Sequence, residues 1–149
     1  MKILVTGAKG MVGTALVNNL KTVRDGKNKT RPDLKIDEIF EYDLGNTAEE
    51  LDAFTSKCDF VFHLAGVNRP EDPADFMKGN FGFTSELLAA LKRHGNAAPV
   101  MLSSSIQATL AGRFGNSEYH KPEQAGTRRR HTLSHRYLLY RCRRPAYNR

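Results

Sequence analysis

The stretch 3-ILVTGAKGMVG-13 constrains the fold more than any other part of the chain. Ile3, Leu4 and Val5 form a short, unalternated apolar run, as in a strand buried on both faces of a parallel sheet. From Met11 onward the apolar residues fall at Val12, Ala15, Leu16 and Leu20, close to the helical period. Between strand and helix lie Gly7, Gly10 and Gly13, each with a distinct use. Gly7 permits the tight turn out of the strand, Gly10 lets the backbone approach a pyrophosphate, and Gly13 lets the helix pack closely on the sheet. The amides and dipole of the helix then face the anion. The loop predicts a dinucleotide-binding turn bordered by Gly7, Lys9, Gly10, Met11, Val12 and Gly13; its spacing is GxxGxxG rather than GxGxxG, and a plain tight turn is the competing reading.

The rest of the chain repeats the same alternation. The apolar run 38-EIFEYD-43 ends in Asp43, where an acid can accept from the adenosine ribose hydroxyls. Asp43 follows Gly13 by 30 residues, more than the usual spacing of about 20, and the polar segment 24-RDGKNKTRPDLK-35 accounts for the excess. An ordinary loop aspartate is the alternative. Lys9 suits a phosphate of NADP whereas Asp43 favours NAD, so both cofactors stay open. A helix is expected at 47-TAEELDAF-54, with Thr47 and Glu50 spaced as a capping box. Then come a strand at 59-DFVFHLAG-66, a helix over 74–95 with Leu87, Leu88 and Leu91 on one face and Gly95 as its stop, and a strand at 99-PVMLSSS-105. Strands alternating with helices predict an α/β fold, a Rossmann-type doubly wound parallel sheet.

With 149 residues the chain has room for one domain. Its net charge of +7 is unevenly spread: residues 1–112 hold nine Lys and four Arg against fourteen acids, whereas 113–149 hold one Lys and nine Arg against two. The basicity therefore belongs to the tail. Cys58 and Cys142 are too few and too distant for a disulfide framework or a zinc site, so no metal is expected. With no apolar run of signal-peptide or membrane-spanning length, the expectation is a cytoplasmic protein without a membrane partner.

TGAKGMVG, HLAG at 63–66, Asn80 in 80-NFGFTSELL-88 and SSS at 103–105 together resemble the NAD(P)-dependent epimerase/dehydratase family, the extended short-chain dehydrogenases/reductases. FVFHLAGVNRP, FMKGNFGFTSELL and LSSSIQA are similar to one branch of it, the capsular-polysaccharide UDP-sugar 4-keto reductases of the N-acetyl-L-fucosamine pathway, which carry a C-terminal cupin domain. The resemblance covers residues 1–126. It implies NAD or NADP as cofactor, with Leu64, Ala65, Gly66 and Asn80 also at the cofactor. It implies a UDP-sugar as substrate and leaves a homodimer open.

The chemistry implied is hydride transfer at C4 of the sugar, with a Ser, a Tyr and a Lys organising the proton. Ser105 and Tyr119 match the first two. A tyrosine hydroxyl, with an ordinary pKa of about 10, needs a nearby cation to exchange its proton at neutral pH. Four residues after Tyr119, however, stands Glu123 where the family has Lys. An acid there holds the proton on, Pro122 breaks the helix that should present both groups, and Lys121 faces elsewhere. A surface tyrosine is the favoured reading of Tyr119.

Residues 1–126 are thus expected to form a partial Rossmann domain, incomplete at its C-terminal side, and 127–149 an Arg-rich, non-family tail that is disordered or translated out of frame. Three functions follow: a truncated sugar-nucleotide reductase or epimerase without turnover, a cofactor-binding module, and, least favoured, a nucleic-acid-binding protein using the basic tail.

Overall fold

The computed structural model describes residues 1–67, 71–103 and 137–141. Strand β1 (Lys2–Thr6) passes through the glycine loop into helix α1 (Met11–Arg24), followed by β2 (Glu38–Tyr42), α2 (Ala48–Thr55) and β3 (Phe60–His63). Next come α3 (Pro73–Met77), a π-helical turn (Lys78–Gly82) and α4 (Phe83–Arg93), then β4 (Pro99–Ser103) and β5 (Tyr137–Arg141).

The strands form one sheet in the order β2-β1-β3-β4-β5. The first four are parallel, and β5 runs antiparallel to β4, with Arg141 opposite Pro99 and Tyr137 opposite Ser103. The expected doubly wound α/β architecture is what the chain adopts. From β1 the chain steps outward to β2 and then returns across β1 to β3. Strand order therefore reverses between β1 and β3, and in open α/β sheets ligands bind in the crevice outside the carboxyl ends of such a strand pair. Strand β5 lies within the segment expected to be a non-family tail; residues 104–136 and 142–149 lie outside the described residues.

Alternation along the strands divides the core in two. Leu4, Phe40, Val61 and Val100 face α2 and α4, where they meet Leu51, Leu87 and Leu91. Ile3 and Val5 face α1 and meet Val17 and Leu20. Leu4, Val5, Val61, Leu87 and Leu91 are wholly buried, and full burial of each such side chain contributes roughly 1.5–3 kcal/mol. On the α1 face, Phe60 and Phe62 are only half-buried and pack on each other at 4.9 Å.

Four local details bear on the sequence-based expectations, the first two refining them and the last two matching them. The buried stripe of α1 is Gly13, Val17 and Leu20, at i, i+4 and i+7, while Val12 lies one position off that stripe and is 57% exposed. The helix expected over 74–95 is interrupted by the π-helical turn, which carries Asn80. The capping box at α2 is present: Glu50 N–H donates to Thr47 Oγ1 at 3.3 Å, and Thr47 N–H donates to Glu50 Oε2 at 2.8 Å. Gly95 follows α4 with φ of +60°, the left-handed conformation that ends a helix.

Candidate functional site

The loop after β1 is shaped by backbone contacts that a side chain would prevent. Gly7 has φ of +70°, and a Cβ there would stand 2.7 Å from Ala65 N. A Cβ on Gly13 would stand 1.9 Å from Gly7 O, so α1 crosses its own loop at a distance only glycine allows. Gly10 differs from both. Its backbone is extended, and a Cβ would meet only Gly7 O, at 3.3 Å, with otherwise open space in front of it. The first helical bond of α1 is Thr14 N–H to Gly10 O at 2.8 Å, and no side chain caps the helix. The amides of Met11, Val12 and Gly13 thus precede the first intrahelical donor, Thr14 N–H, and point out of the N-terminus, as an anion requires. The Met11 side chain is 89% exposed beside them.

Asp43 directly follows β2 and ties that end of the sheet to the loop. Its Oδ2 accepts from Lys9 N–H at 2.7 Å and its Oδ1 from Leu44 N–H at 2.9 Å. Each oxygen keeps a further lone pair for a hydroxyl donor. The Lys9 ammonium lies beside Gly45, and the Leu44 side chain is fully exposed next to the carboxylate.

The segment after β3 completes the group. Leu64, Ala65 and Gly66 run directly over Gly7, with Leu64 N–H donating to Thr6 O at 3.1 Å. Asn80 clamps the end of this segment: its Oδ1 accepts from Val67 N–H at 2.9 Å and its Nδ2 donates to Val67 O at 3.0 Å. A Cβ on Gly66 would stand 2.9 Å from Asn80 Oδ1. The structure thus brings Gly7, Lys9, Gly10, Met11, Val12, Gly13, Asp43, Leu64, Ala65, Gly66 and Asn80 to one edge of the sheet. Ser105, Tyr119 and Glu123 lie outside the described residues.

Sequence reasoning missed three polar residues beneath this edge. His63, the last residue of β3, is 1% exposed, with Nδ1 2.7 Å from Thr6 Oγ1 and Nε2 2.9 Å from Thr84 Oγ1. Burial pushes its pKa down to about 4, so the ring is neutral at pH 7. The signal available was a polar residue closing each of two apolar strand runs, Thr6 and His63. At the opposite end of β3, burial pushes the Cys58 thiol up to about 11, which makes it a core residue without nucleophilic character. Among the described residues there is no cluster of metal-ligating side chains, and no helix is long and apolar enough to cross a membrane.

A glycine turn and an uncapped helix N-terminus at the point where strand order reverses define a Rossmann-type α/β fold of the nucleotide-binding class. The NAD dependent epimerase/dehydratase family matches residues 3–143, and the chain belongs to that family. It is 38% identical over 118 residues to a UDP-2-acetamido-2,6-beta-L-arabino-hexul-4-ose reductase of Pseudomonas aeruginosa, covering 79% of this chain and 29% of the relative. The crystal structure of the capsular polysaccharide assembling protein CapF from Staphylococcus aureus is similar at 39% identity and a TM-score of 0.56, over 77% of this chain and 28% of that one. MoeE5, solved in complex with UDP-glucose and NAD, shares the fold at 22% identity and a TM-score of 0.55, over 76% of this chain and 39% of that one. The chain thus spans under a third of the length of the first two relatives.

Proposed function

We propose that the chain binds NAD or NADP across the ends of β1 and β3, as the cofactor-binding part of a sugar-nucleotide reductase or epimerase of capsule or surface polysaccharide synthesis. One observation carries this reading. At Gly10 and along the first amides of α1 the backbone is bare, while at Gly7 and Gly13 the same loop is packed tightly against protein, so open space is kept only where a pyrophosphate would lie. In this reading the amides of Met11, Val12 and Gly13 hold the pyrophosphate. Asp43 accepts from the adenosine ribose, and Lys9 stands beside it for an additional phosphate if one is present. Leu64, Ala65 and Gly66 form the floor on which the cofactor extends toward β4, held in place by Asn80.

A bound nicotinamide supplies hydride transfer; the substrate proposed for it is a UDP-sugar with a C4 carbonyl, in keeping with the name of the Pseudomonas relative. Ser105 and Tyr119 are the proposed substrate-side pair. Glu123 stands where a lysine is needed to lower the tyrosine pKa, so the chain is proposed to bind cofactor without turning over sugar. Incubation of the chain with NADPH or NADH and a UDP-4-keto sugar should give no oxidation at 340 nm; sustained oxidation dependent on the sugar overturns that part. A module that binds cofactor for another purpose is the second reading, favoured by the same substitution at Glu123.

The domain boundary is proposed at residue 126, with 127–149 an Arg-rich segment translated out of the family's frame. The support is the step in charge and the loss of the Tyr119 motif, and the family match through residue 143 stands against it. Reading the gene in its other two frames past codon 115 should recover a Lys four residues after a Tyr; if neither frame does, the tail belongs to the protein's own design.

A further inference from the structure

His63 lies beneath the crevice with both ring nitrogens engaged, and its partners determine where every proton in the group resides. The Thr84 hydroxyl donates its one hydrogen to Asn80 O at 2.6 Å, within the π-helical turn. Towards His63 Nε2, at 2.9 Å, the same oxygen can therefore only accept. Nε2 must carry the ring proton. In a neutral imidazole Nδ1 is then an acceptor, and the hydrogen it accepts comes from Thr6 Oγ1 at 2.7 Å. The Thr6 oxygen is left facing Ala65 N–H at 3.4 Å. A single directed chain results, running from the Ala65 amide through Thr6, His63 and Thr84 to the Asn80 carbonyl.

Beyond the main-chain bond from Leu64 N–H to Thr6 O, the two ends of this chain mark the two places where side chains fasten the Leu64–Val67 segment. Thr6 meets the segment at Ala65, the residue packed on Gly7, and the Asn80 side chain meets it at Val67. His63 spans the distance between them, with its ring tilted against Phe83 at 5.5 Å, and Phe83 in turn stacks on Tyr42 at the end of β2.

We propose that His63, held as its neutral Nε2–H tautomer, is a positioning residue that sets the spacing between the end of β1 and the π-helical turn, and so holds the Leu64–Val67 segment in the conformation that receives the dinucleotide. This rests on the cofactor reading above. The position suits the role. No charged side chain contributes to the low pKa, which desolvation alone produces, so the tautomer is fixed by hydrogen bonding and not by an ion pair. Asn80, in the π-helical turn, accepts from the Thr84 hydroxyl with its main-chain carbonyl while its side-chain amide pairs with Val67.

The test uses the full chain labelled with 15N. Two-bond proton–nitrogen correlations of His63 at pH 7 should show a protonated Nε2 and an unprotonated Nδ1; the reverse tautomer, or an imidazolium at pH 6, overturns the proposal. Thr84→Val removes the acceptor for Nε2–H and should weaken NADH or NADPH binding about tenfold, the order of one lost hydrogen bond, while Thr84→Ser retains the hydroxyl and restores parental affinity. If Thr84→Val does not fold, Thr84→Ala removes the same hydroxyl without a branched side chain. A folded variant lacking the hydroxyl that binds dinucleotide as well as the parent sinks the positioning role. If the parent itself binds neither dinucleotide, the cofactor reading fails, and the tautomer is decided separately by the spectrum.

Discussion

The ends of β1 and β3 lie side by side at one edge of the sheet, yet they are built by opposite means. After β1 the chain is shaped by the absence of side chains: Gly7 and Gly13 allow backbones to approach where a Cβ would stand 2.7 and 1.9 Å from main-chain atoms. After β3 the chain is shaped by side chains, with Thr6, His63, Thr84 and Asn80 holding Leu64–Val67 through hydrogen bonds. Steric exclusion is close to all-or-none, whereas a hydrogen bond exchanged with water nets roughly 0.5–1.5 kcal/mol. Substitutions at Gly7 and Gly13 should therefore cost fold, and substitutions at the second end should cost affinity.

The largest effect expected is from Gly13→Val. The added carbon would overlap Gly7 O, and the loop and α1 would have to separate, at a cost above about 3 kcal/mol. Urea unfolding followed by circular dichroism measures this, and a stability near the parent's would mean that loop and helix are not in contact as described.

Acid should reveal the β3 end more gradually. The folded pKa of His63, about 4, lies below its ordinary value of 6.5, so the unfolded chain takes up a proton first. The stability it contributes is fully present above pH 6.5 and is lost as pH falls towards 4, by about 3 kcal/mol in all. The carboxyls of Asp37, Glu49 and Glu50 are held below their ordinary values by the N-terminal amine and by hydrogen bonds at the α2 cap, so their contributions are lost only at lower pH. Across the interval from pH 6.5 to 4.5, the difference between the parent and a His63 variant isolates this histidine from the other four of the chain. His63→Gln should flatten urea midpoints across that interval, and an unchanged slope would place the pH dependence elsewhere.

The smallest effect expected calibrates the other two. Thr47→Ala removes the side-chain N-cap of α2, which touches neither the glycine loop nor the Leu64–Val67 segment, and should cost about 1 kcal/mol with no change in dinucleotide affinity. A change in affinity would mean that the α2 cap also supports the site, through Asn46 and Asp43.

The same contrast explains what could be read in the sequence. Glycine at 7, 10 and 13 behind a strand has few interpretations, because close backbone approach at 7 and 13 admits no other residue; the loop, β1, α1 and the alternation of the following strands and helices were all legible. Thr47 with Glu50 was legible for a similar reason, since the box is a local pattern of two residues. Thr6, His63 and Thr84 were not, because they meet only after β1, β3 and α4 have assembled, across sequence separations of 57 and 21 residues. The π-helical turn was missed as well: 74–95 has helical periodicity throughout, and a widened turn over Lys78–Gly82 leaves no mark on that apolar pattern. Val12 was read as part of the apolar helix stripe, whereas the buried stripe runs through Gly13, Val17 and Leu20, where the first member is a glycine that hydrophobic periodicity does not count.

The central claim, a dinucleotide held on the bare backbone at Gly10, is tested most directly by calorimetric titration of the parent chain and of Gly10→Trp with NADH and with NADPH. Gly10 has an extended backbone and open space in front of it, so the indole should fill the crevice without unfolding the protein. The account predicts saturable binding of at least one dinucleotide by the parent, and none by a Gly10→Trp variant whose circular dichroism and thermal midpoint match the parent's. Equal binding by both proteins, or by neither when both are folded, would contradict it.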